Sequence, residues 1–159
     1  MTTIKSAAGD VRATALEALC DWPSAMAAGE LLTLAGTAPA DERLTCLRAA
    51  LRQVGIEGTP AEQRLRICRD ATLLIQRDDE RKLLLSALGG VPTADALAMV
   101  LPYLVGAVKE EACAAALQIA DQLVKGPDKA KLAGPLQQVA ETATNPDFVK
   151  RAKELLAQL

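Results

Sequence analysis

The chain has 159 residues, half of them hydrophobic but only 2 % aromatic, and its formal net charge at pH 7 is −2. Balanced charge argues against non-specific nucleic-acid binding, which needs a strongly basic surface. The absence of histidine removes the commonest general base and metal ligand of proteins. Because the core must be built mainly from Leu and Ala, both strong helix formers, we expect an all-α fold.

Capping and helix-breaking residues divide the chain into helical segments. Residues 1–9 have no apolar stretch of the kind found in signal peptides, and we interpret them as an N-terminal tail. Residues 10–159 are predicted to form one domain of about nine helices, and the short loops predict antiparallel packing of consecutive helices. The divisions fall at Asp10, Trp22-Pro23, Pro39, Gly58-Thr59-Pro60, Asp78, Val91-Pro92-Thr93, Gly106, Gly126-Pro127 and Asn145-Pro146.

Trp22 follows the first predicted helix and is the only tryptophan of the chain. Two interpretations of it are open. Its large apolar area could cover the end of the first helix pair, or it could be an exposed anchor for a partner. The fourth predicted helix begins at Thr59-Pro60-Ala61-Glu62, which has the pattern of a capping box with proline at the first helical position.

The fourth predicted helix also contains a cluster of charge. Arg64, Arg66 and Arg69 lie within two turns of it. They could form a cationic patch for an acidic partner or a phosphate, or a solvated face balanced by Glu62 and Asp70. The exposed ridge, with Arg66, Arg69 and Asp70, is the predicted partner-binding surface, together with Trp22.

Residues 96–108, ALAMVLPYLVGAV, carry no charge. They are too few for a membrane span, which needs about 20 apolar residues. Thr93 is predicted to cap a short helix, Pro102 to kink or end it, and Gly106 to stop it. Before this segment, Gly89-Gly90 is interpreted as a helix end and turn. One helix face is formed by Leu97, Val100, Leu101 and Leu104.

Residues with reactive or metal-binding side chains are sparse. The cysteines are Cys20, Cys46, Cys68 and Cys113. We interpret them as free thiols buried among apolar helical neighbours, with a disulfide or a thiolate nucleophile as the alternative. The acidic groups at 78–80 and 110–111 could bind a divalent cation, but each also suits the positive end of a helix dipole. We therefore predict no catalytic residue, no metal and no cofactor.

The helix pairs share a pattern. LAMVLPYLVGAVKEEACAAAL and LAGPLQQVAETATNPDFVKRAKELL each contain a helix with an internal proline, a short turn, and a charged helix start followed by Ala and Leu. This pattern resembles HEAT repeats, and the resemblance covers nearly the whole chain, although the unit from Pro60 to Leu88 is degenerate. The resemblance implies a right-handed α-α superhelix of four helix pairs, with Asp10 to Leu19 as a leading half-repeat.

The resemblance also bears on function. It implies a non-catalytic scaffold or adaptor whose partner is a protein or an adjacent domain of the same polypeptide, with no nucleic acid, membrane or small molecule expected. The segment LLLSALGGVPTADALAMVLPYL is similar to HEAT-like regions of large multidomain planctomycete and verrucomicrobial-type bacterial proteins. By default we expect a cytoplasmic location, or an extracytoplasmic one if the chain is part of a secreted protein.

Two alternatives to this scaffold function remain open. HEAT-like folds include enzymes similar to DNA glycosylases and to bilin lyases. The chain could also be a structural spacer that binds nothing.

Overall fold

The computed structural model describes residues 10–159, and the predicted tail of residues 1–9 lies outside this range. The described residues are all-α, as predicted, with nine α-helices, three 3-10 segments and no strand. The α-helices are α1 (Asp10–Cys20), α2 (Ala28–Ala35), α3 (Ala40–Gln53), α4 (Ala61–Thr72), α5 (Asp78–Gly89), α6 (Ala94–Val100), α7 (Lys109–Leu123), α8 (Ala133–Thr142) and α9 (Pro146–Leu156). The 3-10 segments are Ala25–Ala27, Leu101–Leu104 and Pro127–Lys131.

By their contacts, the helices alternate along the chain between two sets, here called layers. Layer A consists of α2, α4, α6 and α8, and layer B consists of α1, α3, α5, α7 and α9. Within layer B, α1 packs on α3, α3 on α5, α5 on α7 and α7 on α9. Each layer-A helix packs on the layer-B helix that follows it in the chain. Throughout residues 10–159, extensive packing joins helices that are one or two positions apart in this order.

One hydrophobic core runs from Leu19 to Leu155 between the two layers. α7 faces the core largely with small residues, including Ala115 and Cys113. Gly89 ends α5 beside them, and a Cβ at this position would lie 2.6 Å from Oε1 of Gln118 and 3.5 Å from Cα of Ala115. A Cβ here would therefore displace the side-chain amide of Gln118 while meeting the Ala115 backbone at an ordinary van der Waals distance, and a larger side chain would crowd the α5–α7 contact.

Local signals set most of the helix ends. The hydroxyl of Thr93 accepts a hydrogen bond from the main-chain N–H of Ala96 at 3.1 Å, and the side chain of Asn145 caps α9 in a similar way. α6 gives way to the 3-10 segment that contains Pro102. Gly106 then turns the chain with φ of 100°, a conformation that favours glycine.

One predicted cap is wrong. The sequence pattern predicts that the Thr59 hydroxyl caps α4, but the first helical turn receives no side-chain hydrogen bond and the capping position is Pro60. The main-chain carbonyl of Thr59 instead accepts a hydrogen bond from Arg64 at 2.9 Å. The helix therefore begins one residue later than the pattern predicts and has no side-chain cap.

The apolar stretch at residues 96–108 packs into the core through Leu97, Val100 and Leu104. No helix among residues 10–159 has the length and apolar character needed to cross a lipid bilayer.

Candidate interaction surface

The charged residues of α4 that were predicted to form a partner-binding surface are only partly brought together by the fold. Arg66, Arg69 and Asp70 lie on the exposed side of the helix. Arg69 approaches Asp95 of α6 at 3.7 Å, which links two helices of layer A. Arg64 is not part of this surface, because its guanidinium donates hydrogen bonds to the main-chain carbonyl oxygens of Ile56 and Thr59, before α4, and of Gly90, after α5. The predicted patch of three arginines therefore reduces to two.

Trp22 lies in the loop between α1 and the first 3-10 segment and is 52 % exposed. It covers the helix end only in part. Among the described residues no hydrogen bond or ion pair joins Trp22 to α4, whose closest polar link to this region is a bond of 3.4 Å from Gln63 to the carbonyl of Ala25. The structure therefore does not connect Trp22 with the α4 residues through polar contacts.

A groove between α3 and α5, here called the basic groove, has a volume of about 280 Å³. Arg48 and Arg52 of α3 form one wall, and Leu83, Ser86 and Ala87 of α5 form the other. No acidic side chain lines this groove among the described residues. The basic groove thus combines two positive charges with an apolar wall.

The two arginines of the basic groove differ in their own contacts. They are four residues apart and so lie on the same face of α3. Arg52 donates a hydrogen bond of 2.7 Å to the carbonyl of Cys20 and pairs with Asp21 at 3.3 Å. Arg48 is exposed and makes no hydrogen bond or ion pair with any described residue. One guanidinium is therefore held in place and the other is available.

A larger groove, the mixed groove, lies between α1 and α3 with a volume of about 760 Å³. Arg48 and Arg52 line it as well, so they form the ridge between the two grooves. The mixed groove also contains the ion pair of Arg12 and Glu42 and the apolar side chain of Leu16. Its charges of both signs largely balance one another.

The acidic groove lies between α7 and α9, has a volume of about 480 Å³, and contains Glu110 and Glu111. Glu110 accepts hydrogen bonds from the hydroxyl and, at 2.7 Å, from the main-chain N–H of Thr144, and these hold the pKa of Glu110 below its usual value. Lys82 lies 2.6 Å from Glu111 and lowers its pKa in the same way. Both carboxylates are therefore engaged within the protein.

Glu80 is fully buried at the start of α5. Its carboxylate pairs with Arg43 and accepts hydrogen bonds from the main-chain N–H groups of Gln76 at 2.7 Å and Arg77 at 3.2 Å. Arg43 also donates to the carbonyl of Leu74 at 2.8 Å. Burial acts to raise the pKa of Glu80, but these hydrogen bonds together outweigh it and lower the pKa. This carboxylate fixes the α4–α5 turn.

The four cysteines are free thiols, as predicted, although Cys20 is only half-buried. Burial raises the pKa of Cys46 and of Cys113 to about 11 and that of Cys68 to about 12, and it also raises the pKa of Cys20. The thiols are thus protonated at neutral pH, and a thiolate is the form that acts as a nucleophile. Among residues 10–159 no group of three or more potential metal ligands is placed to hold an ion.

Comparison of the chain with protein-family models, with curated proteins and with solved structures finds no match. The grooves of layer B are therefore the features of the fold that bear on function. The sequence pattern points to α4 and not to Arg48 or Arg52 of α3. Their spacing of four residues was visible in the sequence, but the grooves beside them depend on how α3 packs between α1 and α5.

Proposed function

We propose that the chain is a non-catalytic HEAT-like α-solenoid that acts as a scaffold, binding a protein or another domain of its own polypeptide through layer B. The packing order supports the solenoid. In repeat proteins each unit contacts its neighbours and shares a continuous core with them. The helices described above follow this rule, with α1 as a half-unit and four pairs from α2–α3 to α8–α9.

Repeated cross-links along layer B also support a stack of similar units. At three of the four junctions between successive layer-B helices, an ion pair starts from a position near the start of the helix. These pairs are Arg12 with Glu42, Arg43 with Glu80, and Lys82 with Glu111. At the fourth junction, Asp121 near the end of α7 pairs with Arg151 of α9. Contacts that recur once per helix pair are expected where the same supersecondary unit is repeated.

The observation that carries the functional proposal is the series of open grooves between layer-B helices. A surface of successive helix ridges and grooves suits an extended protein segment. Protonated thiols and carboxylates that are already hydrogen-bonded favour binding over catalysis. A DNA glycosylase-like activity would call for a basic surface with aromatic side chains, whereas the chain has a net charge of −2 and three aromatic residues.

Site-specific photo-crosslinking tests this proposal. A benzophenone amino acid is introduced at Ser86, on the α5 wall of the basic groove, and in a matched variant at Ala98, on the exposed side of α6. In cells that natively express the gene, we expect a discrete protein adduct from position 86 and none from position 98. Adducts at neither position would favour a spacer, and adducts from position 98 alone would place the interaction on layer A.

A further inference from the structure

We propose that the basic groove binds an extended acidic segment of a partner protein, with carboxylates on Arg48 and Arg52 and an aliphatic side chain against α5. This inference rests on the proposed scaffold function and specifies the chemistry of its partner. Three features of the groove carry it: an available guanidinium, a second arginine one helical turn away, and a small apolar wall.

Arg48 is the first feature. It is exposed in the wall of the groove and lacks any ion pair or hydrogen bond to residues 10–159. Guanidinium groups bind carboxylates through two parallel hydrogen bonds, which gives strength and orientation together. No acidic side chain of the described chain lines this groove, and Arg48 pairs with none of the carboxylates in the mixed groove on its other side, so a carboxylate from a partner would meet an unpaired guanidinium.

Arg52 is the second feature. Its bond to the Cys20 carbonyl and its pair with Asp21 hold the side chain in place before any partner arrives. Side chains four residues apart on a helix have Cβ atoms roughly 5–6 Å apart. In an extended strand, residues i and i+2 point to the same side and lie about 6.6 Å apart. Two acidic residues separated by one residue in an extended segment therefore have a spacing close to that of the Arg48 and Arg52 Cβ atoms.

The apolar wall is the third feature. Leu83 and Ala87 face the arginines across a volume of about 280 Å³. That volume is at the lower limit of small-molecule sites, and it suits one or two aliphatic side chains of a peptide. A carboxylate beside an aliphatic residue would satisfy both walls, whereas a free anion would leave the apolar wall exposed to water.

Nucleic acid is the competing polyanion, and the charge distribution disfavours it. Binding to a phosphate backbone draws on several Lys and Arg residues spread along a surface. Here two arginines lie in one groove, and the acidic groove occupies another part of the same layer. The field is therefore local, as a short acidic segment requires.

The test is a selection of random peptides displayed on phage against the whole chain. We expect the selected peptides to be enriched in Asp or Glu next to Leu, Ile or Val. The most enriched peptide is then made with a fluorescein label, and its affinity is measured by fluorescence anisotropy. Arg48→Glu, which reverses the free charge, and Ser86→Trp, which fills the groove, should each weaken binding at least tenfold. Lys153→Glu, an exposed reversal on α9, should leave binding unchanged.

Circular dichroism melts of the three variants check that each is folded. The proposal is overturned if no peptide is selected, if the selected peptides lack acidic residues, or if Arg48→Glu binds the peptide as well as the wild type does. Tighter binding of a labelled single-stranded oligonucleotide at Arg48 would overturn it in favour of nucleic acid. If no peptide is selected but photo-crosslinking at position 86 still gives a protein adduct, the acidic chemistry of the groove is refuted and the scaffold proposal stands. Conversely, acidic peptides that bind when position 86 gives no photo-crosslinked adduct would support the acidic chemistry of the groove and refute the scaffold proposal.

Discussion

The basic and acidic grooves lie between successive helices of the same layer, yet their charged groups are in different situations. In the acidic groove, Glu110 bonds to the start of α9 and Glu111 pairs with Lys82. In the basic groove, Arg52 pairs with Asp21, whereas Arg48 has no partner among the described residues. The number of charges in a groove is therefore a poor guide to what it can bind. What matters is how many of those charges the fold has already engaged.

A second contrast concerns two carboxylates that bond to helix starts. Glu80 bonds to main-chain N–H groups at the start of its own helix and is fully buried with Arg43. Glu110 bonds across from α7 to the start of α9 and remains accessible to water. Removal of a partner from a buried ion pair leaves a charge that water cannot solvate. The two carboxylates should therefore differ strongly in their contribution to stability.

The largest expected effect is that of Glu80→Ala. Loss of this carboxylate leaves the Arg43 guanidinium and two main-chain N–H groups without their acceptor, and we expect a loss of about 3–5 kcal/mol in the free energy of unfolding. Glu110→Ala is the matched control and should cost much less. Urea unfolding followed by circular dichroism measures both. Equal losses in the two variants would show that burial does not set the difference.

The next largest effect concerns the contact between α5 and α7, which lies between the basic and the acidic groove. Gly89→Leu should destabilise the fold by about 1–3 kcal/mol, since the side chain would meet Gln118 and the backbone of Ala115. Gly29→Leu is the control: a Cβ there meets nothing within 4 Å, and helix propensity favours leucine. Comparable melting temperatures for the two variants would contradict the close approach.

Much of the fold is predictable because its signals are local. Thr93 and Asn145 cap helices with their own side chains, and Pro102 and Gly106 end a helix through backbone geometry. Thr59 fails as a predicted cap because the helix begins one residue later, at Ala61, with Pro60 in the capping position. The close approach at Gly89 was also hidden, since the sequence does not show which helix packs against α5.

The candidate surface was less predictable because it too depends on which helices pack together. Arg66 and Arg69 of α4 and Arg48 and Arg52 of α3 are similar pairs at helical spacing, and the sequence offers no way to rank them. Only tertiary packing shows that the second pair borders two grooves, and that Arg69 is near Asp95. Whether an arginine is free or engaged depends on residues some 30 positions away.

A smaller effect is expected from pH. The pKa of Glu80 is lowered in the folded state, so its stabilising contribution is complete above the pKa of the unfolded carboxyl group. That contribution is lost as the pH falls through the lowered folded pKa. Wild-type stability should therefore fall more steeply on acidification than that of Glu80→Gln, in urea titrations between pH 7 and the acid range. The exposed Glu57→Gln variant is the control and should retain the wild-type slope.

The smallest expected effect on stability, that of replacing Arg48, tests directly whether the basic groove holds an unpaired charge. Arg48→Ala should change the free energy of unfolding by less than about 0.5 kcal/mol, because an exposed side chain without a partner contributes little to folding. Arg52→Ala, one turn further along, removes the hydrogen bond to Cys20 and the pair with Asp21 and should cost up to about 1 kcal/mol. Urea unfolding of both variants decides the matter. A larger loss for Arg48→Ala than for Arg52→Ala would mean that Arg48 is engaged within the folded chain, and the basic groove would then lack the free charge that an acidic partner needs.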